Sequence, residues 1–323
     1  MHLPLPLQAA HAALVLSPLL AGLILPTLSL TAPAAARGTL GFALGTKNAD
    51  GSCKTTADYQ ADFDAIYAAS GSTLVRGYSA SDCDAAARIL PAAASKGFRV
   101  VLGVWPDTPA SLATDTAALQ AHAWHYPDQL YAVTVGSETL YRGNFTGEEL
   151  LEKINGVKAV LPPNVKVGTA DSWNKWADGT GDAVVRGGVD IIMVNAFAYW
   201  QAQEIGNATK TYFHDIARAF ERIQDISGSF DTPELWNGET GWPKDGGSDF
   251  GAARASTANA AAYSQTAVCG MLAWGVDVFY FEAFDEPWKP RSEGDHGVSA
   301  DETHWGAMTA GREVSYAVRC VAP

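Results

Sequence analysis

The chain has 323 residues, 35 of them acidic and 22 basic, for a formal charge of −13, and 47% are hydrophobic. A net-negative surface with no Lys/Arg run cannot track phosphates, which excludes nucleic acid and anionic lipid as expected partners but does not repel a neutral polymer. Residues 1–36 contain no Asp, Glu, Lys or Arg, carry a leucine-rich stretch from Leu14 to Leu30, and close with Ala34-Ala35-Ala36 before Arg37. That pattern predicts a secretory signal peptide cleaved after Ala36, because Pro18 and Pro26 interrupt the apolar stretch and small residues end it. A membrane anchor is the competing reading, since the stretch is long enough to span a bilayer. Residues 37–323 then fit one large domain, secreted and with no membrane attachment, and are expected to act as a monomer.

Beyond the leader, eight short β-rich runs follow one another: Thr39–Gly45, Thr73–Tyr78, Arg99–Trp105, Tyr131–Glu138, Val165–Ala170, Val189–Phe197, Glu234–Glu239 and Val276–Phe284. Most are almost continuously apolar, as strands buried on both faces are, and the seventh is the least strand-like. Stretches of helical period lie between them, such as Tyr59, Phe63, Ile66 and Tyr67, and Thr146-Gly147-Glu148-Glu149 reads as a capping box. Alternation of this kind implies a parallel sheet. The turn after the first run, Gly45-Thr46-Lys47-Asn48, lacks the glycine fingerprint of a dinucleotide fold, and no second half is left over. The prediction is a single (β/α)8 barrel of the TIM type over residues 37–323.

In such a barrel the C-terminal strand ends converge on one face, where the chemistry sits. Glu138 closes Val135-Gly136-Ser137-Glu138 in the fourth run, and Glu239 closes the seventh within Gly238-Glu239-Thr240-Gly241-Trp242-Pro243. One carboxylic acid and one carboxylate at a common rim are what a retaining glycosidase needs to split a glycosidic bond. A lone glutamate at a strand end is more often an ion-pair or surface residue, so the inference rests on the two together. Trp242 is placed to stack on a sugar, and Trp105, Tyr199, Trp200 and Trp288 also fall at strand ends, with Trp105 divided evenly between core and binding roles. Asn195, near the end of the sixth run, is a further candidate for substrate contact.

Glu239-Thr240-Gly241-Trp242-Pro243, Val135-Gly136-Ser137-Glu138 and the stretch Tyr280-Phe281-Glu282-Ala283-Phe284-Asp285-Glu286-Pro287-Trp288-Lys289 resemble the fungal branch of glycoside hydrolase family 17. That family contains secreted and cell-wall β-1,3-glucanases and glucanosyltransferases on a (β/α)8 barrel. The resemblance spans essentially the whole mature chain. It implies double displacement on β-1,3-glucan, with Glu239 the nucleophile and Glu138 the acid, then base, and with no cofactor or metal. Endo-acting hydrolysis is the expectation, with glucanosyl transfer or exo action on the same site as alternatives. It also implies that Glu286 and Lys289 line the cleft and that Arg76, in Val75-Arg76-Gly77-Tyr78, lies beside the nucleophile. Many related barrels have Asn just before the acid, where this chain has the shorter Ser137. A non-catalytic glucan-binding barrel is the alternative of another class, and retention of both glutamates argues against it.

Four cysteines in a secreted chain favour two disulfides, and pairing between neighbouring units gives Cys53–Cys83 and Cys269–Cys320, the last in a terminal helix. No Cys-x-x-Cys occurs, and His122 and His125 have no flanking acid, so no zinc site is expected. Asn144-Phe145-Thr146 and Asn207-Ala208-Thr209 are glycosylation sequons.

Overall fold

Residues 38–293 and 299–320 are described in this computed structural model, and the leader expected over residues 1–36 lies outside the described residues. Eight parallel strands form a closed barrel in chain order: Leu40–Ala43 (β1), Leu74–Arg76 (β2), Arg99–Val104 (β3), Leu130–Ser137 (β4), Lys166–Ser172 (β5), Ile191–Asn195 (β6), Glu234–Thr240 (β7) and Val278–Tyr280 (β8). Phe42 closes it, pairing with Val75 on one side and Tyr280 on the other. Each strand falls within or close to one of the runs read from the sequence. The seventh run, the least strand-like, is a full seven-residue strand, because its polar Asn237 is buried and hydrogen-bonded to Val194 O and Tyr212 Oη.

The connecting helices are Thr56–Ser70 (α1), Ala85–Lys96 (α2), Pro109–His122 (α3), Gly147–Lys158 (α4), Trp173–Ala177 (α5), Asp182–Arg186 (α6), Ile205–Ser227 (α7), Thr257–Tyr263 (α8) and Cys269–Ala273 (α9). Local chemistry sets several of their ends. Thr55, Thr108 and Thr146 each accept from the third backbone N–H of their helix in a full capping box, and Gly71 ends α1 in the left-handed region at φ 79°. Tyr59, Phe63 and Ile66 of α1 are buried as its period predicts, whereas Tyr67 faces solvent at 58% exposure.

Alternation along the strands splits the apolar residues into two cores. Leu74, Val101, Ala132, Ala170, Ile191, Met193, Trp236 and Phe279 fill the barrel, while outward residues such as Val75, Val133, Val167 and Ile192 join the larger core under the helices. Filling the lower barrel with side chains leaves only its upper mouth for a site.

Disulfides join Cys53 to Cys83, between the segments after β1 and β2, and Cys269 to Cys320. The expected terminal helix around Cys320 is absent. After β8 the chain forms a short hairpin, Arg291–Glu293 (β9) with Ser299–Asp301 (β10), and residues 302–320 run without a helix. Their backbone groups are used elsewhere: Ala307 N–H donates to Glu282 O at 2.8 Å, Met308 N–H to Ala283 O at 3.0 Å, and Asp285 N–H to Met308 O at 3.0 Å. Groups paired with the loop after β8 are not free for a helix ladder. Both sequon asparagines are exposed, Asn144 in the turn before α4 and Asn207 in the first turn of α7.

Candidate active site

Regular alternation does not by itself bring the two glutamates to the barrel mouth. In β7 Trp236 points inward and Asn237 outward, so an undisturbed strand would send Glu239 outward too. The pairing register breaks on both sides of this point, between Val194 and Asn195 toward β6 and between Asn237 and Thr240 toward β8. A bulge of this kind re-aims the residues that follow it. Gly238 is the residue that permits it, because a Cβ there would lie 2.6 Å from Asn195 Oδ1 and 2.8 Å from Met193 Cβ. The same device operates in β4, where the register to β5 breaks between Thr134 and Ser137 and Gly136 has φ 85°. Glu138 follows β4 with φ 60°, its N–H donating to Ala170 O at 2.9 Å.

Both carboxylates line one cleft of about 410 Å³ at this mouth, together with Tyr78, Trp105, Ser137, Tyr141, Arg142, Ser172, Trp173, Asn195, Phe197, Trp200, Gln201, Phe281, Lys289 and Glu302. Their environments are opposite. Arg76, fully buried beneath the cleft, donates to Glu239 Oε1 at 3.0 Å, to Gly238 O at 2.8 Å and to Ser137 Oγ at 3.2 Å. Ser137 Oγ in turn donates to Glu239 Oε1 at 3.3 Å, so its hydroxyl is turned toward the carboxylate and the arginine. Glu239 therefore sits in a full ion pair with two donors on one oxygen.

Among the described residues no Lys or Arg forms an ion pair with Glu138. Burial, the charge of Glu239 and the charge of Asp171 push its carboxyl up to about 8, while the Asn195 amide, donating at 3.2 Å, and Arg142 pull the other way. One carboxyl is ion-paired with a buried arginine, and its neighbour is held protonated near neutrality. That is the pairing of roles that acid-assisted bond cleavage requires.

Residues 41–306 match the model of the BtgE/BtgC glycoside hydrolase domain. The chain belongs to this family, within the fungal branch of glycoside hydrolase family 17. A glucan 1,3-beta-glucosidase of Arthroderma benhamiae is 55% identical over 88% of this chain and 92% of its own length. Proteins of the same name from Schizosaccharomyces pombe and Saccharomyces cerevisiae are 42% and 40% identical, over 90% and 88% of this chain and 90% and 91% of theirs. Among solved structures, an active-site mutant of Rhizomucor miehei beta-1,3-glucanosyltransferase in complex with laminaritriose matches with a TM-score of 0.73 at 29% identity, covering 87% of this chain and 98% of that one.

In this glycoside hydrolase the strand-end residues divide into those the cleft takes in and those it does not. Ser137, Glu138, Asn195, Trp200, Glu239 and Lys289 line it, as does Trp105, whose ring carries the Arg142 guanidinium at 4.9 Å. Trp242, expected to stack on sugar, is instead fully buried, its indole N–H donating to Arg254 O at 2.9 Å and its ring packed on Tyr199 and Tyr263. Tyr199 is also fully buried, against Trp200, Trp242, Phe250 and Trp305. In a motif so rich in aromatics, some rings must pack beneath those that face the ligand.

Glu286 and Trp288 lie outside the cleft wall. Glu286 is 4% exposed, abuts Gly45 and pairs with Lys289 at 3.0 Å, while the Trp288 ring has the Lys47 ammonium 4.9 Å from its centre. Lys289 also pairs with Glu282 at 2.6 Å. Burial works against the lysine charge, but the carboxylates of Glu282 and Glu286 outweigh it and hold Lys289 above the ordinary lysine range.

No sequence motif singles out Tyr78, Tyr141, Arg142, Ser172, Trp173, Phe197, Gln201, Phe281 or Glu302 in the wall, or Asp171 behind it. Tyr78, Trp173, Phe197 and Phe281 follow β2, β5, β6 and β8 by one or two residues, so an aromatic just past a strand end was the available signal.

Proposed function

We propose that this glycoside hydrolase acts on β-1,3-glucan by double displacement, with Glu239 as nucleophile and Glu138 as acid and then base. The observation that carries the assignment is the contrast between the two glutamates: one ion-paired with buried Arg76, the other raised to about 8 by burial and by two neighbouring negative charges. A Glu239 oxygen attacks the anomeric carbon while Glu138 gives its proton to the departing glycosidic oxygen, leaving a glycosyl ester on Glu239 and an ionised Glu138. Glu138 then takes a proton from water, or from a sugar hydroxyl, as that oxygen displaces Glu239. Hydrolysis and glucanosyl transfer share every step up to the choice of acceptor. The names of the fungal relatives, and the laminaritriose bound in the Rhizomucor neighbour, support a β-1,3-linked substrate. Asn195, Trp200 and Lys289 would contact the sugar, and Arg76 and Ser137 would hold the nucleophile. With the leader and two disulfides, the enzyme is assigned to the cell exterior or wall, cleaved after Ala36 and acting as a monomer without a cofactor.

The test separates the two carboxylates. Glu239→Ala should abolish turnover of every natural substrate, whereas Glu138→Ala should lose kcat/KM on a laminari-oligosaccharide by several powers of ten yet largely keep it on an activated aryl β-laminaribioside, whose leaving group departs without a proton. Retained hydrolysis by Glu239→Ala, with folding verified by circular dichroism, would sink the nucleophile assignment. Product sizing over time with the wild-type enzyme decides the acceptor: shorter products mean water, longer ones mean sugar.

A further inference from the structure

Asp171 is not among the residues lining the cleft, yet it reaches the turn that carries Glu138. It lies on β5, fully buried, and its carboxylate faces the turn that carries Glu138 out of β4. Oδ2 accepts the Leu140 N–H at 2.8 Å, and Oδ1 accepts those of Tyr141 at 3.1 Å and Ser172 at 2.9 Å. With the 2.9 Å bond from Glu138 N–H to Ala170 O, consecutive residues of β5 grip the turn at Glu138, Leu140 and Tyr141. That turn has no strand ladder of its own and holds Glu138 at φ 60°, a conformation that persists only where its surroundings enforce it.

We propose that Asp171 is a positioning residue for Glu138, fixing the acid-bearing turn through its two carboxylate oxygens so that the proton donor meets the glycosidic oxygen. The proposal rests on the reading of Glu138 as general acid. Charge is the second consequence of the geometry. Glu138 is faced by Glu239 from β7, by the Asn195 amide from β6, by Arg142 from its own turn and by Asp171 from β5. Asp171 is itself pushed up to about 7 by burial, against the pull of the Leu140 and Ser172 N–H groups, Arg142 and Lys175. Its charge opposes loss of the Glu138 proton.

The experiment compares wild type, Asp171→Asn and Glu138→Ala on a laminari-oligosaccharide and on an activated aryl β-laminaribioside, over a pH series. Asp171→Asn should lower kcat/KM on the oligosaccharide about tenfold to a hundredfold, the cost of a misplaced catalytic group, and change the activated substrate by less than about threefold. Its kcat/KM profile should fall at lower pH than that of wild type, because a like charge has been removed from beside the acid. Equal losses on both substrates, no loss, or an unmoved alkaline limb overturn the proposal. If Glu138→Ala itself shows no leaving-group dependence, the acid assignment fails and the proposal with it. A normal Glu138→Ala signature beside an indifferent Asp171→Asn sinks the proposal alone. Should Asp171→Asn not fold, Asp171→Glu keeps the charge on a longer arm: the same leaving-group split, with the alkaline limb in place, supports the proposal, and equal losses refute it.

Discussion

Arg76 lies under the nucleophile and pairs with it at 3.0 Å. The Arg76→Met variant keeps side-chain bulk but deletes the donors to Gly238 O, Glu239 Oε1 and Ser137 Oγ. Arg76 is fully buried and Glu239 is 8% exposed, so solvent screens the pair little and its partner is left as an uncompensated charge. Breaking a buried pair from one side costs about 3 to 5 kcal/mol, and that range is expected for Arg76→Met. Neutralising the second partner removes the orphaned charge, so Arg76→Met with Glu239→Gln should be more stable than Arg76→Met alone by about 2 kcal/mol or more. Urea unfolding of the wild type, both single variants and the double variant near neutral pH gives all four corners of the cycle. A loss below about 1 kcal/mol for Arg76→Met, or a double variant no more stable than it, would show that the guanidinium is not what balances Glu239.

The alkaline limb of kcat/KM should lie near pH 8, where Glu138 loses the proton it must donate; because the folded pKa values of Glu138 and Asp171 are raised, to about 8 and about 7, their contribution to stability is full below the unfolded carboxylate range and is lost as pH rises through those values, a decline that Glu138→Gln should flatten in urea titrations. Trp200→Ala, in the cleft wall, should raise KM for laminari-oligosaccharides about three- to tenfold with little effect on folding, whereas fully buried Trp242→Ala should cost about 3 to 5 kcal/mol in urea; the reverse pattern would mean their places are exchanged. Replacing both cysteines of either disulfide with serine, across separations of 30 and 51 residues, should cost about 4 kcal/mol each in the same assay if chain entropy dominates, and an unchanged midpoint would exclude that account.

The eight-fold alternation and the catalytic glutamate candidates were legible in the sequence because both are local signals. Apolar strand runs between helical stretches identify parallel units, and a glutamate that ends such a run next to glycine stands out without any knowledge of its neighbours. Capping boxes such as Thr146 to Glu149 are equally local, since the donor and acceptor lie three residues apart. Orientation is different. Strict alternation would have turned Glu239 and Ser137 away from the barrel mouth, and only register breaks against β5, β6 and β8 turn them in. Those breaks depend on what the neighbouring strands present, which no window of one strand contains. The aromatic residues divide for the same reason: Trp200 and Trp242 each follow a barrel strand, and the packing of Tyr199, Phe250, Tyr263 and Trp305 decides that one faces the cleft and the other lies beneath it. Asp171 carries no motif at all, because its role consists of contacts to a turn 30 residues away that only the closed barrel brings within reach.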